Sequence, residues 1–477
     1  MKALYVTQSH DFTIQGRRYL MLVAGSAVFE LDGVSAAVVD FVRRNPGARP
    51  GHVVQAVANG SSPGEVTEAI EELEKLGVLG TSPLITIAPA PRMPSLPIPL
   101  QTIVLNLAYS CNLTCGYCFA KGGDYGVGKS FMSLEVARKG IDFLLENSGD
   151  SREVNVTLFG GEPLMAFPVI VPTVEYARKA GERFGKRVEF SMTTNGTLLS
   201  EEKIRFLAEN AIGVSVSLDG PKEVHDRIRT FVGSGKGSYD VILPKVKRLL
   251  QLHRTKPVAA RVTLTRGKHD VKGIVTHLLD LGFYEVGIAP VTSSESAYAL
   301  SADDMEHLLA EFQELTEIYL EKAVRNEYFG FANLTNELQQ IHSGVTKPFP
   351  CGAALGLLSV GVNGDLYICH RFTEEKEFKL GNIFDGLDLK KQKVFLEAVH
   401  LEKKGEPCRS CWAKFLCAGG CHHESFVREG DFRAPVLHYC DWIRAWTEMG
   451  VKAYVTLNEK NPGFIENVIG KRKEELN

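Results

Sequence analysis

Ten cysteines divide this chain of 477 residues very unevenly. Three stand within the eight residues CNLTCGYC, at 111, 115 and 118, and seven more lie at 351, 369, 408, 411, 417, 421 and 440. Packing alone scatters cysteines, and an oxidised secreted domain is usually smaller and bridged throughout. Clustered thiols in a chain this long point to metal or iron–sulfur ligation in a reducing compartment. The cytosol is therefore the expected location, and the opening MKALYVTQSHD lacks the apolar core of a secretory signal.

The length suggests roughly two to four domains. A 44% hydrophobic and 23% charged composition with a formal charge of −3 gives no broad basic face for nucleic acid. The longest apolar runs are broken by proline, glycine or charge, so no membrane partner is expected.

Residues 1–84 read as an independent unit. HDFTIQGRRYLMLVAGSAVFELDG predicts two or three antiparallel strands, with turns near Gly16–Arg17 and Gly25. SAAVVDFVRRN and SPGEVTEAIEELEKLGVL predict two helices, the second stopping at Gly77. The order suggests a winged-helix-like module. Its second helix is acidic and ill suited to a major groove, so strand addition by a peptide is the better use. A proline-rich linker follows over 85–100.

From 101 the rhythm alternates. TIVLNLA, VNVTLF, RVEFSMT, GVSVSL, AARVTLT and YEVGIAPV are apolar strands with helices between them. Six such units predict an α/β fold with a parallel sheet, a partial (β/α)6 barrel over 101–320, and chemistry at the carboxyl ends of its strands. A bridging helical segment over 321–350 leads to the cysteine-rich region 351–450. A surface or disordered tail is expected over 451–477.

Three cysteines on the loop after the first strand would leave one iron of a four-iron cubane open to a small chelating molecule. Zinc with a fourth side chain and simple core packing remain the competing readings, although no histidine follows in the same loop. CNLTCGYC resembles the CxxxCxxC motif of radical S-adenosylmethionine (radical SAM) enzymes. The resemblance implies that Cys111, Cys115 and Cys118 hold a [4Fe–4S] cluster whose open iron binds SAM. Cleavage of SAM then yields a 5′-deoxyadenosyl radical that abstracts hydrogen from substrate.

Other segments agree in order. GGEP, comprising Gly160, Gly161, Glu162 and Pro163, follows the second strand and resembles the segment that positions the SAM methionine moiety. TTNGT ends the third strand, and SLDGP with HDRIR leaves the fourth. By resemblance Asn195, Ser217 and Arg229 contact the cofactor, Arg229 at its carboxylate, and Tyr117 and Phe119 shield the cluster and flank adenine. Individually, each residue also admits a plain turn, surface or packing role.

The later cysteines match the SPASM extension of peptide-modifying radical SAM enzymes: C–x₉₋₁₅–G–x₄–C, then CxxCx₅CxxxC, then C. The resemblance implies two auxiliary [4Fe–4S] clusters, for three in all. Cys408, Cys411, Cys417 and Cys440 would ligate the outer one, and Cys351, Cys369 and Cys421 the inner. The inner cluster would keep one open iron for a substrate thiolate, with water, a carboxylate, His370, His422 or His423 as alternatives.

YCFAKGGDYG, LFGGEPLM, GDLYICHRF and CWAKFLCAGGCHHE resemble two thioether-forming maturase families. One matures the small subunit of quinohemoprotein amine dehydrogenase, and the other acts on six-cysteine peptides. The expected activity is therefore cysteine sulfur-to-carbon cross-linking of a small cysteine-containing peptide or protein. A reducing donor such as flavodoxin or ferredoxin is implied. Sulfatase maturases, which oxidise Cys or Ser to formylglycine, are the alternative; where they carry an aspartate base, this chain has His370. No catalytic base stands out. An iron–sulfur electron carrier, or a regulator using the amino-terminal module, would explain the cysteines or the module but not the ordered strand-end motifs.

Overall fold

The computed structural model describes residues 2–58 and 60–471. The first unit opens with β1 (Tyr5–Val6) and a meander of β2 (Ser9–Ile14), β3 (Arg17–Leu22) and β4 (Val28–Leu31). Gln15 and Gly16, at φ of 49° and 81°, turn β2 into β3. Two consecutive left-handed residues suit the twist of a two-residue hairpin. Helices α1 (Gly33–Arg44), α2 (Pro50–Val57) and α3 (Pro63–Lys75) follow. Then β5 (Leu79–Gly80) pairs back on β1. The short α2, starting on a proline, was not expected from the sequence. Ser62 and Glu65 close a reciprocal cap on α3.

The pleat gives the meander two faces. Leu20 and Leu31 join Val38, Val42, Val66 and Ile70 in a core of the unit's own. Phe12, Tyr19 and Met21 face the other way and pack on Ile341, Leu416 and Val451. His10 stacks on Trp412 at 3.7 Å and bonds Glu448 at 2.8 Å, and the Tyr19 hydroxyl donates to Glu459. The unit is thus seated on the cysteine-rich region.

The central sheet begins with β6 (Thr102–Tyr109), followed by the short β7 (Leu113–Cys115) and β8 (Ser130–Phe131). β9 (Glu153–Gly160), β10 (Arg187–Thr194) and β11 (Gly213–Ser217) follow, then the short β12 (Arg229–Phe231), β13 (Val258–Leu264) and β14 (Glu285–Pro290). β6, β9, β10, β11, β13 and β14 are neighbours in that order, all parallel. Helices α4 (Leu134–Glu146), α5 (Phe167–Phe184), α6 (Glu201–Glu209), α7 (Lys222–His225), α8 (Tyr239–Leu252) and α9 (Val271–Asp280) connect them.

Parallel strands covered on both faces are usually continuously apolar. Here β9, β10, β11 and β13 alternate, with one face buried and the other half open. Val154, Val156 and Leu158 are buried in the main core, whereas Thr157 and Ser191 meet on the other face at 3.1 Å. That polar face is free to meet a ligand.

The cysteine-rich region is built onto this sheet. α10 (Ala302–Val324) and α11 (Ala332–His342) lead to β15 (Leu357–Val360), which pairs in parallel with β6. β16 (Asp365–Tyr367), β17 (Lys379–Asn382) and β18 (Gly386–Leu387) extend it antiparallel. α12 (Leu389–Val399), the one-turn α13 (Lys414–Cys417), α14 (His422–Glu429) and α15 (Cys440–Lys460) complete the region. A surface or disordered tail was expected over 451–477. The chain instead continues to Gly470 with Leu457, Phe464, Ile465 and Ile469 buried, because these apolar residues find α10 and α11 to cover them. Residues 472–477 of that expected tail lie outside the described ones. Among the described residues no helix is long and apolar enough to cross a membrane.

Trp412→Ala should loosen the first unit by about 1 kcal/mol or more, read as faster proteolysis within 85–100. Acid should weaken the unit as well. Burial would raise the Asp11 carboxyl, but hydrogen bonds from Arg43 and Arg18 hold it below its ordinary range, and Arg18 does the same for Asp40. A depressed folded pKa stabilises above the unfolded value and is lost as pH falls through the folded one. Hydrogen-exchange protection of α1, corrected for intrinsic rates, should therefore fall in that acid window. In Asp11→Asn it should already be lower at neutral pH, with a shallower acid dependence.

Candidate active site

The chain leaves β6 at Tyr109 and passes Cys111, Cys115 and Cys118 along the carboxyl ends of the parallel strands. β7 pairs antiparallel with β12, which sets Cys115 directly opposite Arg229. The Leu113 N–H points to the Cys111 sulfur at 3.4 Å, and Asn195 Nδ2 donates to it at 3.6 Å. Burial pushes the Cys111 thiol up to about 12 and raises Cys115, which the Arg229 charge pulls back. Thiols so buried ionise readily only onto a cation such as iron.

Among the described residues no three His, Cys, Asp or Glu side chains converge closely enough to hold a single metal ion. The thiols fall into three looser groups that feel one another's charge. They are Cys111, Cys115 and Cys118; Cys351, Cys369 and Cys421; and Cys408, Cys411, Cys417 and Cys440. Such spacing fits polynuclear clusters with one thiolate per iron.

Glycines let the second strand end close against the cysteine loop. A Cβ on Gly160, at φ 134°, would stand 2.5 Å from the Ala108 carbonyl oxygen. On Gly161 it would stand 2.3 Å from that of Ser110, and on Gly123 2.6 Å from the Cys111 Cβ. Gly161 N–H donates to Ala108 and Glu162 N–H to Ser110. Glu162 itself is fully buried and serves as a bolt. It accepts from the Thr194 hydroxyl and the Asn195 N–H at 2.7 Å each, and from Leu164 N–H at 3.1 Å. Pro163 starts the 3₁₀ turn that follows. Asn195 also donates to Asn112 at 3.0 Å.

Arg229 is almost fully buried. Its Nη1 donates to the Tyr117 hydroxyl at 2.5 Å, and that hydroxyl donates to Asp219 at 2.6 Å. Asp219 lies 3.8 Å from the guanidinium and accepts from Thr263 N–H at 3.0 Å. Arg229 Nε has no partner, so a buried donor is left for an acceptor from outside the chain. Ser217 ends β11 opposite Arg261. The Tyr117 hydroxyl thus anchors the guanidinium. Asp219 stood within SLDGP, but nothing local distinguished it from a turn aspartate.

Phe119 lies beneath the Arg371 guanidinium at 5.1 Å and near His370 and His423, at 6.0 and 6.2 Å. It lines a cavity of about 220 Å³ with Cys118, Arg371 and His423. A second cavity, of about 440 Å³, is lined by Cys351, Cys421 and the outer four cysteines, and Arg371 lines it too. Arg371 thus stands between the two, a placement that nothing in its sequence neighbourhood signals. His422 packs on Phe395, and both it and His423 keep a buried Nδ1 without a partner. A larger cavity, of about 930 Å³, lies at the opposite ends of β13 and β14, near Lys256 and Phe329, and no cysteine lines it.

Three thiols on the first strand-end loop, a glycine cradle from the second and a buried arginine after the fourth lie together at the carboxyl ends of the parallel strands. Residues 105–272 match the model of the Radical SAM superfamily. The chain is 27% identical over 376 residues to a serine-type anaerobic sulfatase-maturating enzyme of Bacteroides thetaiotaomicron, covering 72% of this chain and 87% of that one. It is 26% identical over 371 residues to the cysteine-type enzyme of Clostridium perfringens, covering 73% and 96%. In fold it is similar to native anSMEcpe with bound AdoMet and Kp18Cys peptide, with a TM-score of 0.64, 22% identity, and 76% and 99% covered. It is also similar to Streptococcus suis SuiB bound to precursor peptide SuiA, with a TM-score of 0.50, 17% identity, and 90% and 98% covered. Site and likenesses together show an enzyme that works by radical SAM catalysis, with a cysteine-rich SPASM-like region after its α/β sheet.

Arg229→Lys should weaken SAM binding roughly ten- to a hundredfold, the loss of a charge-assisted hydrogen bond, measured by anaerobic calorimetric titration. Gly161→Ala should displace the Ser110 segment and lower the iron bound by the first three cysteines. Iron analysis with circular dichroism would show that loss in a chain that stays folded.

Proposed function

We propose that the chain is a peptide or protein maturase that closes intramolecular cysteine sulfur-to-carbon thioether bonds. The inner thiol group carries this reading. Cys351, Cys369 and Cys421 stand together with no fourth cysteine, and Cys351 and Cys421 are exposed at the 440 Å³ cavity. Three thiolates on a four-iron group leave one iron for an outside ligand, and a substrate thiolate suits it.

In this reading Cys111, Cys115 and Cys118 hold the SAM-binding cluster. Cys408, Cys411, Cys417 and Cys440 hold an outer one, for three [4Fe–4S] clusters with the inner. When bound, the first cluster and SAM supply hydrogen abstraction from carbon. Gly160 and Gly161 let backbone approach SAM, Asn195 and Ser217 contact it, and Arg229, held by Tyr117 and Asp219, faces its carboxylate. Phe119 shields the loop. The six parallel strands act as a partial barrel and residues 1–84 as a winged-helix-like peptide-recognition unit. In the net change carbon and thiol each lose a hydrogen and a C–S bond forms. One hydrogen leaves on deoxyadenosine and the other as a proton, and the electron released balances the one spent on SAM. A flavodoxin or ferredoxin is the proposed donor, and the dehydrogenase-subunit and six-cysteine-peptide maturases are the nearest functional models.

Oxidation of Cys or Ser to formylglycine is the second reading, favoured by the names of the curated relatives. It is weakened by His370, which lies against Phe119 and Phe159 where a base aspartate would stand.

Anaerobic mass spectrometry of a small cysteine-rich partner, after incubation with reconstituted enzyme, reductant and SAM, decides between them. Thioether closure removes two hydrogens per bond and one alkylatable thiol, with fragmentation excluding disulfides. A hydrazide-reactive aldehyde in a sulfatase peptide, with the partner untouched, would reverse the ranking.

A further inference from the structure

The outer cysteines share their surroundings with an unusual set of cations. Lys404 and Lys414 are 6% and 4% exposed, and Lys347 is half-buried. Burial lowers the pKa of all three, and nearby negative groups oppose it: Cys408 and Cys417 among those at Lys404, Cys411 at Lys414, and Glu337, Cys417 and Cys351 at Lys347. Lys414 lines the same cavity as the four outer cysteines.

None of the three forms an ion pair with a carboxylate among the described residues. Lys404 Nζ donates to the carbonyls of Arg433 at 2.8 Å and Ala434 at 3.3 Å. Lys414 Nζ donates to the Gln8 side chain and the Ala88 carbonyl at 2.7 Å each, and to Arg409 at 3.1 Å. Lys347 Nζ donates to the Gln340 side chain and, at 3.2 Å, to the Leu416 carbonyl. Gly419 gives Lys404 its path, since a Cβ there would stand 2.9 Å from its Cε. Of the nearby acids, Asp431 bonds Arg433, Glu406 bonds Ser410, and Glu402 is exposed to solvent. Buried Glu337 is pushed toward its neutral form by desolvation.

Buried ammonium groups need a counter-charge. Four thiolates on a [4Fe–4S] group carry net negative charge. The cations gather at the outer set, whereas the first three cysteines have Glu162 and Asp219 beside Arg229.

We propose that Lys404 and Lys414, assisted by Lys347, are positioning charges that raise the reduction potential of the group held by Cys408, Cys411, Cys417 and Cys440. They thereby make it the end point for electrons leaving the site. The inference rests on that set holding an iron–sulfur cluster, as proposed above. Reduction adds one negative charge without a bond change, so a fixed cation nearby favours the reduced form. Lys414 has a further consequence. Two of its three acceptors, Gln8 and Ala88, belong to the first unit and the segment after it, so the docked unit helps hold the charge in place.

The test is an anaerobic potentiometric titration of the full-length reconstituted enzyme, followed by electron paramagnetic resonance, with iron content measured alongside. Lys404→Met and Lys414→Met should each lower one midpoint by about 59 mV, a tenfold change in a one-electron equilibrium. The SAM-site midpoint should stay fixed, and Lys→Arg variants should restore the original value. Unchanged midpoints at full iron content would overturn the proposal. If a methionine variant loses iron, Lys404→Gln and Lys404→Arg serve instead: a shift in Gln alone supports the charge role, and equal midpoints reject it. Cys408→Ala with Cys417→Ala separates the two failures. Should that double variant remove no iron, the cluster assignment itself falls.

Discussion

β6 cannot leave either edge open. It is buried along almost its whole length, and each backbone N–H and C=O in such a strand requires a partner. β9 supplies one edge; β15 supplies the other up to Leu105, aligned with Val360, and β8 pairs at Ala108 and Tyr109. This shared strand joins two functional halves in one sheet. The first three cysteines leave its carboxyl end, and the chain reaches Cys369 two residues after β16, the next strand along. The cavities on either side of Arg371 follow from that adjacency.

Charge in the interior is handled differently at the two ends. Around the first cysteines it is balanced within the chain, with Arg229 against Asp219 through Tyr117 and Glu162 satisfied by three donors. One donor, Arg229 Nε, remains unspent. Around the outer cysteines the balance is incomplete, because lysines bonded to carbonyls have solvation but no counter-charge. Under the proposed function both imbalances would be met by anionic groups from outside the chain, a carboxylate at one and a thiolate-bound cluster at the other.

The first unit fits the same scheme. Its meander uses one face for its own core and the other for the body, so the unit has its own interior yet is not independent in position. Its seat is the loop that carries Cys408, Cys411 and Cys417, where Trp412, Lys414 and Leu416 lie between Cys411 and Cys417. The segment proposed to hold an outer group therefore also holds the unit proposed to recognise the substrate.

Local pattern alone carried much of this. The cysteine spacings, the order of GGEP, TTNGT and HDRIR, and six strands alternating with helices were legible because each is set by neighbours a few residues apart. The pairing of β6 with β15 was not, since the strands lie some 250 residues apart and share no periodic signal. Nor could the sequence show Glu162 as a bolt, Tyr117 as an anchor for Arg229, or lysines gathered at the outer thiols, because a side chain's partner is fixed by how distant segments pack. The buried tail to Gly470 belongs with these: its apolar residues are too few to announce a helix face until α10 and α11 lie over them. Sequence by itself determined which chemistry-bearing groups exist and on which strand ends they sit. Tertiary structure decided which of them meet, and which buried charges are left needing a partner, because burial and long-range pairing arise only when the whole chain closes.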